Sequence, residues 1–352
     1  MSDNRWDAVR KLVDRGAEGK PISIPVPYKR LRKDFDISRQ MLYGVGGDTG
    51  TGKSAFTHFT FAIYPYLWWK THKKETDIKL KIFIRAMERP FELTALKWAC
   101  IRMFTKYNVI VDPFQAMGKR ENNLTSEERQ KLKECIAFFE EAEDIVEIIP
   151  GQINPEGIRR QLKAHADANG QTIQDTEYRS HYVPNDPNLI TICIVDHIGK
   201  VKRERVKNPD GSYSNLLSEK ETIDRMSTHL MTARDKWGFS GVVVQQFNRS
   251  INDQARRRDL TPELSDFYGS SGTQQDADLV LGLFEPSRYR IGSWMDYDIG
   301  KMTDKFTKFN RFRGLSILKN SYGGSGIHAG LRFVGECGYF NQLPTPTIVT
   351  GK

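Results

Sequence analysis

Cysteine is scarce. The four residues, Cys100, Cys135, Cys193 and Cys337, stand far apart with no C-x-x-C pair. That spacing argues against a zinc ribbon or a disulfide framework. Cys193 also lies inside an apolar run, so the thiols read as reduced packing residues of a cytosolic protein. Long apolar stretches are missing too. The N-terminus, Met1-Ser2-Asp3-Asn4-Arg5, lacks the apolar core of a signal peptide. The most apolar helical stretch, around Phe56 to Trp69, carries His58 and Pro65 and is too short to span a bilayer. A cytoplasmic protein with no membrane partner is therefore expected. Internal repeats and low-complexity segments are absent. Acidic residues are outnumbered, 44 Asp and Glu against 53 Lys and Arg, which leaves a net charge of +9. A basic surplus points to an acidic partner, of which nucleic acid is the commonest.

What the chain does have is one complete short motif. Gly47-Asp48-Thr49-Gly50-Thr51-Gly52-Lys53-Ser54 fits G-x-x-x-x-G-K-[ST] in full and follows the apolar stretch Met41-Leu42-Tyr43-Gly44-Val45. Glycines let the backbone wrap an anion with its N–H groups pointing inward. A lysine at this position reaches the β- and γ-phosphates, and a serine after it can ligate Mg²⁺. All eight residues are therefore candidates to bind ATP, with Ser54 also a metal ligand.

Around this loop the pattern predicts an α/β fold. Apolar runs suited to buried parallel strands recur at Met41–Val45, Lys81–Arg85, Ile145–Ile149, Leu189–Val195, Gly241–Gln245 and Leu279–Phe284. Helical segments fall between them. Ser126–Ala142 opens on a capping box of Thr125 with Glu128, and Ser218–Trp237 on one of Ser218 with Glu221. In the second, Ile223, Met226, Leu230, Ala233 and Trp237 form one apolar stripe. Alternating strands and helices imply a mainly parallel sheet with helices on both faces. Two later runs, Leu315–Leu318 and Leu331–Val334, flank Tyr322-Gly323-Gly324-Ser325-Gly326 and predict a C-terminal β-hairpin at the sheet edge. Lys200–Asn215 and Asn252–Thr261, the latter with Arg256-Arg257-Arg258, read as mobile loops. Asn4–Arg15 predicts a short helix with Trp6, Val9 and Leu12 on one side.

Three strand ends carry further chemistry. Leu189–Val195 ends in Asp196, where a phosphate-loop protein needs an acid to hold Mg²⁺ or its water. Glu88 follows the second strand and is placed to polarise an attacking water. Gln246, after the strand Gly241–Val244, is placed to sense the γ-phosphate. His197, Trp68 and Trp69 read as packing residues.

The order of these elements resembles the RecA-like motor domain of DnaB-type replicative helicases. The resemblance rests on the phosphate loop, the strand-end Glu and Asp, and Gln246-Phe247-Asn248-Arg249-Ser250. It continues through Gln274-Gln275-Asp276-Ala277-Asp278-Leu279 and ends at Ile317-Leu318-Lys319-Asn320-Ser321-Tyr322-Gly323. It covers roughly Pro21 to Leu343. It implies a hexameric ring that hydrolyses ATP between subunits and translocates on single-stranded DNA, with replication proteins as possible partners. By position it implies that Lys53 and Ser54 bind phosphate and Mg²⁺. Glu88 becomes the catalytic base, Asp196 the metal carboxylate, Gln246 the coupling residue and Lys319 the trans-acting cation.

Two departures stand out. Ser321 occupies the place of the family's arginine finger, a group typically worth ~10³–10⁵ in rate; Arg311 and Arg313 lie nearby in sequence as substitutes. Tyr268 replaces the usual arginine of the DNA-tracking loop, whose Gly269, Ser270 and Ser271 can still bond phosphates while the ring stacks on a base. Lys200, Lys202, Arg203, Arg205 and Lys207 are expected to add charge near the same channel. The expected organisation is an N-terminal extension or linker helix over 1–20, the ATPase/helicase domain over 21–345 and a tail over 346–352. About 40 residues before the first strand are too few for the N-terminal domain of such helicases, a compactness that suits a phage or mobile element. The alternatives are a DNA-stimulated ATPase without unwinding, serving recombination, packaging or loading, and an ATP-dependent assembly protein with weak hydrolysis.

Overall fold

A computed structural model describes residues 5–177, 179–207, 209–248, 261–267, 272–305 and 309–346. Its centre is a sheet of nine strands: β1 (Leu42–Gly47), β2 (Lys79–Ala86), β3 (Val146–Pro150), β4 (Leu189–Asp196), β5 (Ser240–Gln246), β6 (Leu279–Phe284), β7 (Phe312–Asn320), β8 (Ile327–Val334) and β9 (Tyr339–Gln342). Their order is β9-β8-β7-β6-β1-β5-β4-β2-β3. The run from β6 to β3 is parallel throughout, and β7, β8 and β9 extend it antiparallel. The expected C-terminal hairpin is thus present, lengthened by a third strand too short and polar to stand out in the sequence.

The parallel strands are apolar on both faces because helices cover both. Along β4, Ile192 and Ile194 join one core with Phe56, Phe61 and Trp98, while Cys193 and Val195 join the other with Leu162, Met226 and Leu230. This alternation is the period-two pleat of a strand. Both expected capping boxes form, on helices Ser126–Glu140 and Glu219–Trp237. The apolar stripe of the second buries Ile223, Met226, Leu230 and Ala233. The Gln274–Leu279 segment has a mechanical role. Asp276 accepts from Ser227 Oγ at 2.6 Å, and Asp278 Oδ2 accepts from Leu42 N at 2.8 Å and Arg234 Nη1 at 3.0 Å, fixing where β1 begins.

Other segments differ from expectation. A polar hairpin, Gly170–Thr176 with Arg179–Pro184, projects before β4 and has no apolar alternation to announce it. The basic loop after Asp196 is anchored rather than loose. Its Glu204 is buried and accepts from Arg225 Nε at 2.7 Å and Glu156 N at 3.1 Å. A helix does form near the N-terminus, Arg5–Ala17, and leaves Trp6, Val9 and Val13 exposed. Trp68 and Trp69 pack partly buried against the core, the latter donating to Ile78 O at 2.8 Å. All four thiols are free and buried. No helix among the described residues is long and apolar enough to cross a membrane.

Candidate active site

Parallel pairing carries several sequence motifs to one edge. Gly47 pairs with Gln246, and Ala86 with Asp196, so the loops after β1, β2, β4 and β5 leave the sheet side by side. Crevices at the carboxyl ends of parallel strands are where such sheets bind ligands. Here a cavity of about 570 Å³ is lined by Lys53, Ser54, Glu88, Asp196, His197 and Gln246.

The phosphate loop starts on the last residue of β1. A side chain at Gly47 would place its Cβ 2.4 Å from the carbonyl of Leu283, so only glycine lets β6 and β1 pair here. Gly52 closes the loop at φ 96°, a left-handed conformation favourable to glycine, and the helix Lys53–His58 begins at once. A π-helical segment, Phe59–Ile63, joins it to Tyr64–His72. Lys53 is buried and donates from Nζ to Asp48 O at 2.7 Å. Burial pushes its ammonium down to about 8, against the opposing pull of Asp48, Asp196 and Glu88.

Asp196 is the most enclosed acid of the cavity. Ser54 donates to its Oδ1 at 3.0 Å, and His58 Nε2 lies 3.2 Å from its Oδ2. Trp98 Nε1 donates to His58 Nδ1 at 3.2 Å, which leaves the imidazole proton on Nε2, facing the carboxylate. Burial works against the charged acid, but His58, Ser54 and His197 together outweigh it and hold the carboxyl below its ordinary range. The Asp196–His197 peptide is cis. His197 does more than pack: its ring lines the cavity, and its Nδ1 accepts from Gly199 N at 3.1 Å. Burial, then the charge of Lys53, keeps it below the usual histidine range. Gln246 Nε2 donates to Thr49 Oγ1 at 2.7 Å, tying the end of β5 to the loop tip. Glu88 stands exposed at the rim with Arg89.

Other expected residues lie elsewhere. Lys319 pairs across the strands with Val280, toward the opposite edge of the sheet, and donates to Gln274 O at 3.2 Å and Gln275 O at 2.6 Å. It does not reach the phosphate loop of its own chain. Neither arginine offered as a substitute for Ser321 is available. Arg311 is paired with Glu336, and Arg313 is fully buried with its Nε on Thr51 O at 3.0 Å. Lys200, Lys202, Arg203, Arg205 and Lys207 are exposed, although Arg203 also donates to Leu217 O. Tyr268, Gly269, Ser270 and Ser271 lie outside the described residues, as do Arg249 and Arg256–Arg258.

Sequence reasoning passed over His58 and Trp98, and also Glu285, Arg288 and Tyr289, which pack beside the loop. His58, Trp98 and Tyr289 meet partners far along the chain that spacing does not reveal, whereas Glu285 and Arg288 are an ion pair three residues apart.

Residues 38–342 match the family described as DnaB-like helicase C terminal domain. No curated protein matches in sequence. Among solved structures, one ATPase domain superposes with a TM-score of 0.68 at 16% identity, covering 98% of this chain and 100% of that one. A DnaB-like replicative helicase, described with its interactions with primase, superposes with a TM-score of 0.66 at 16% identity, covering 98% of this chain and 69% of that one. The likeness extends to the RecA-like mixed sheet as a whole.

Proposed function

The chain belongs to the DnaB-like helicase C-terminal domain family, and from that premise we propose that it is an ATP-dependent replicative DNA helicase. It works as a hexameric ring that translocates on single-stranded DNA. The observation that carries this reading is the gathering of Lys53, Ser54, Glu88, Asp196 and Gln246 around one cavity. Five groups from four separate loops serve phosphoryl transfer to water, and a nucleotide-binding module alone does not need Glu88.

Each residue has a role in that reaction. The loop N–H groups and Lys53 bind the β- and γ-phosphates. Glu88 takes the proton of the attacking water. Gln246, bonded to the Thr49 hydroxyl, passes the state of the loop tip to the segment after β5. The Ser54 hydroxyl and Asp196 carboxylate, 3.0 Å apart, are hard oxygen donors suited to Mg²⁺. That ion, when bound, neutralises charge on the transferred phosphoryl group. His58 and Ser54 orient the carboxylate, as partners of metal-holding acids do. Lys319, remote from its own loop, acts on a neighbour's nucleotide. The exposed cations between Lys200 and Lys207 supply sequence-independent attraction to the DNA backbone.

A second reading, an ATPase that translocates, loads or packages without unwinding, is favoured by one observation: Ser321 stands where the family's arginine belongs. ATP hydrolysis with and without single-stranded DNA tests the motor. Lys53→Ala should abolish it, and Glu88→Gln should lower kcat by ~10²–10⁴ while nucleotide still binds. Absence of hydrolysis under every DNA condition would sink the proposal. Native mass measurement with a non-hydrolysable ATP analogue should give six copies; a strict monomer removes trans catalysis. Hydrolysis without strand displacement on a forked duplex decides for the second reading.

A further inference from the structure

A phosphate-binding loop works by pointing its N–H groups inward, and its carbonyls must then face out. In this chain two outward carbonyls are each held by an arginine of the same subunit. Arg288 Nη1 donates to Thr49 O, and Arg313 Nε donates to Thr51 O at 3.0 Å. The two arginines share one acid. Glu285 Oε2 lies 2.8 Å from Arg288 Nε and 3.2 Å from Arg313 Nη2. Arg313 is enclosed further by the rings of Phe309 and Phe333, at 5.3 and 5.0 Å. The next residue, Tyr289, donates its hydroxyl to the Asp48 carboxylate at the start of the loop. Burial, then the bond to Asp48, raises the Tyr289 phenol, so it stays protonated as a donor.

We propose that the turn Pro286–Tyr289 is a positioning element of the nucleotide site. Arg288 and Tyr289 brace the phosphate loop from its outer side so that its N–H groups are set before nucleotide arrives. This rests on the reading that Gly47–Ser54 binds nucleotide phosphates. The Arg288–Glu285–Arg313 set, with Glu285 and Arg313 buried and Arg288 exposed, is a poor device for stability alone, because desolvation offsets the attraction of the buried pair and solvent screens the exposed one. Its bonds end on the two loop carbonyls, where shape matters for binding. Tyr289 keeps the Asp48 carboxylate turned to a donor on the outside, which lessens its repulsion of phosphate. Arg288 contacts a carbonyl rather than the reacting phosphate, so it acts on binding. It does not replace the missing arginine finger.

The test uses the full chain with Arg288→Ala, Arg288→Lys and Tyr289→Phe. Binding of a fluorescent ADP, mant-ADP with Mg²⁺, is measured beside kcat, KM and hydrogen exchange over residues 47–54. Arg288→Ala should weaken mant-ADP about tenfold and raise KM equally, with kcat held within about threefold. Exchange over the loop should quicken, and Arg288→Lys should recover much of the affinity by restoring one charged donor. Tyr289→Phe, which removes one hydroxyl, should weaken binding by about threefold and serves alone if Arg288→Ala fails to fold. Unchanged binding and exchange in the folded variants overturns the brace. So does a fall in kcat at constant KM, which would make Arg288 a group acting on the transition state. Wild-type protein that does not bind mant-ADP sinks the nucleotide reading itself, a result separate from a failed brace.

Discussion

Lys53 ties the site to pH. In the folded chain burial brings it from 10.5 to about 8. A drop of that size disfavours the charged form by roughly 3 kcal/mol relative to the unfolded chain. Phosphate oxygens reverse this, since they need the ammonium. Below pH 8 the lysine is charged with or without nucleotide, and affinity is flat. Between about 8 and 10.5 the free site has lost the proton that the complex retains, so each binding event takes one up. The dissociation constant should therefore rise roughly twentyfold between pH 7.5 and 9.5, approaching tenfold per unit at the upper end. The stability of the ligand-free protein has the opposite slope. In the same window the unfolded chain holds a proton that the folded chain has released, so folding gains as pH rises. Calorimetric titration of ADP in buffers of different ionisation heat reads the uptake directly. Uptake should approach one proton near pH 9.5 and fall off toward pH 7. Lys53→Arg, charged throughout, should lose the pH dependence. A flat affinity without proton uptake from pH 7.5 to 9.5 would refute the reasoning.

Other perturbations give smaller, separate readings. His58→Phe leaves Trp98 Nε1 and Asp196 Oδ2 without their partner, so the urea midpoint should fall by the equivalent of about 1–3 kcal/mol. More Mg²⁺ should also be needed for half-maximal nucleotide binding; an unaltered midpoint would show that the contact contributes nothing. Asp278→Ala removes the acceptor of Leu42 N and a partner of Arg234, and guanidinium unfolding should show a loss of about 3 kcal/mol. A loss below ~1 kcal/mol would mean that the start of β1 is fixed by other contacts. Burial pushes the Cys100 and Cys193 thiols up to about 12, so native protein at pH 8 should resist iodoacetamide that labels the unfolded chain. Labelling of both at equal rates folded and unfolded would contradict their enclosure.

Much of the fold was legible because its signals are local. An apolar run ending in Asp196 is a buried strand with an acid at its tip, and Thr125 with Glu128 is a cap whatever surrounds it. The site was legible only so far as its residues sit on strand ends. The phosphate loop, Glu88, Asp196 and Gln246 follow apolar runs, and parallel pairing brings such ends together. His58 and Trp98 carried no comparable sign: both lie on helices, at positions that read as ordinary core. Arg311 and Arg313 looked available because sequence reveals charge but not enclosure. Arg313 lies between two aromatic rings, and Arg311 is claimed by Glu336. The polar hairpin before β4 escaped notice because its residues are held by backbone pairing, with no apolar face to betray it.

In the proposed ring, β7 would link the two ends of the nucleotide machinery carried by one chain. Arg313 sits near its beginning, bonded behind the phosphate loop of its own subunit, and Lys319 near its end, six residues on. At the rise of a strand those positions are roughly 20 Å apart. The strand pairs with β6 from Gly314 to Asn320 but with β8 only from Phe312 to Ile317, and a bulge between Ile317 and Lys319 sets the lysine beyond the doubly paired stretch. In the proposed ring, a phosphate loop that tightens on its ligand would pull on Arg313, and β7 would carry that shift toward Lys319. Such coupling is reciprocal, so engagement of Lys319 by a neighbour's nucleotide would act back on the phosphate loop through the same strand. Each pair of adjacent sites would then be coupled through one strand.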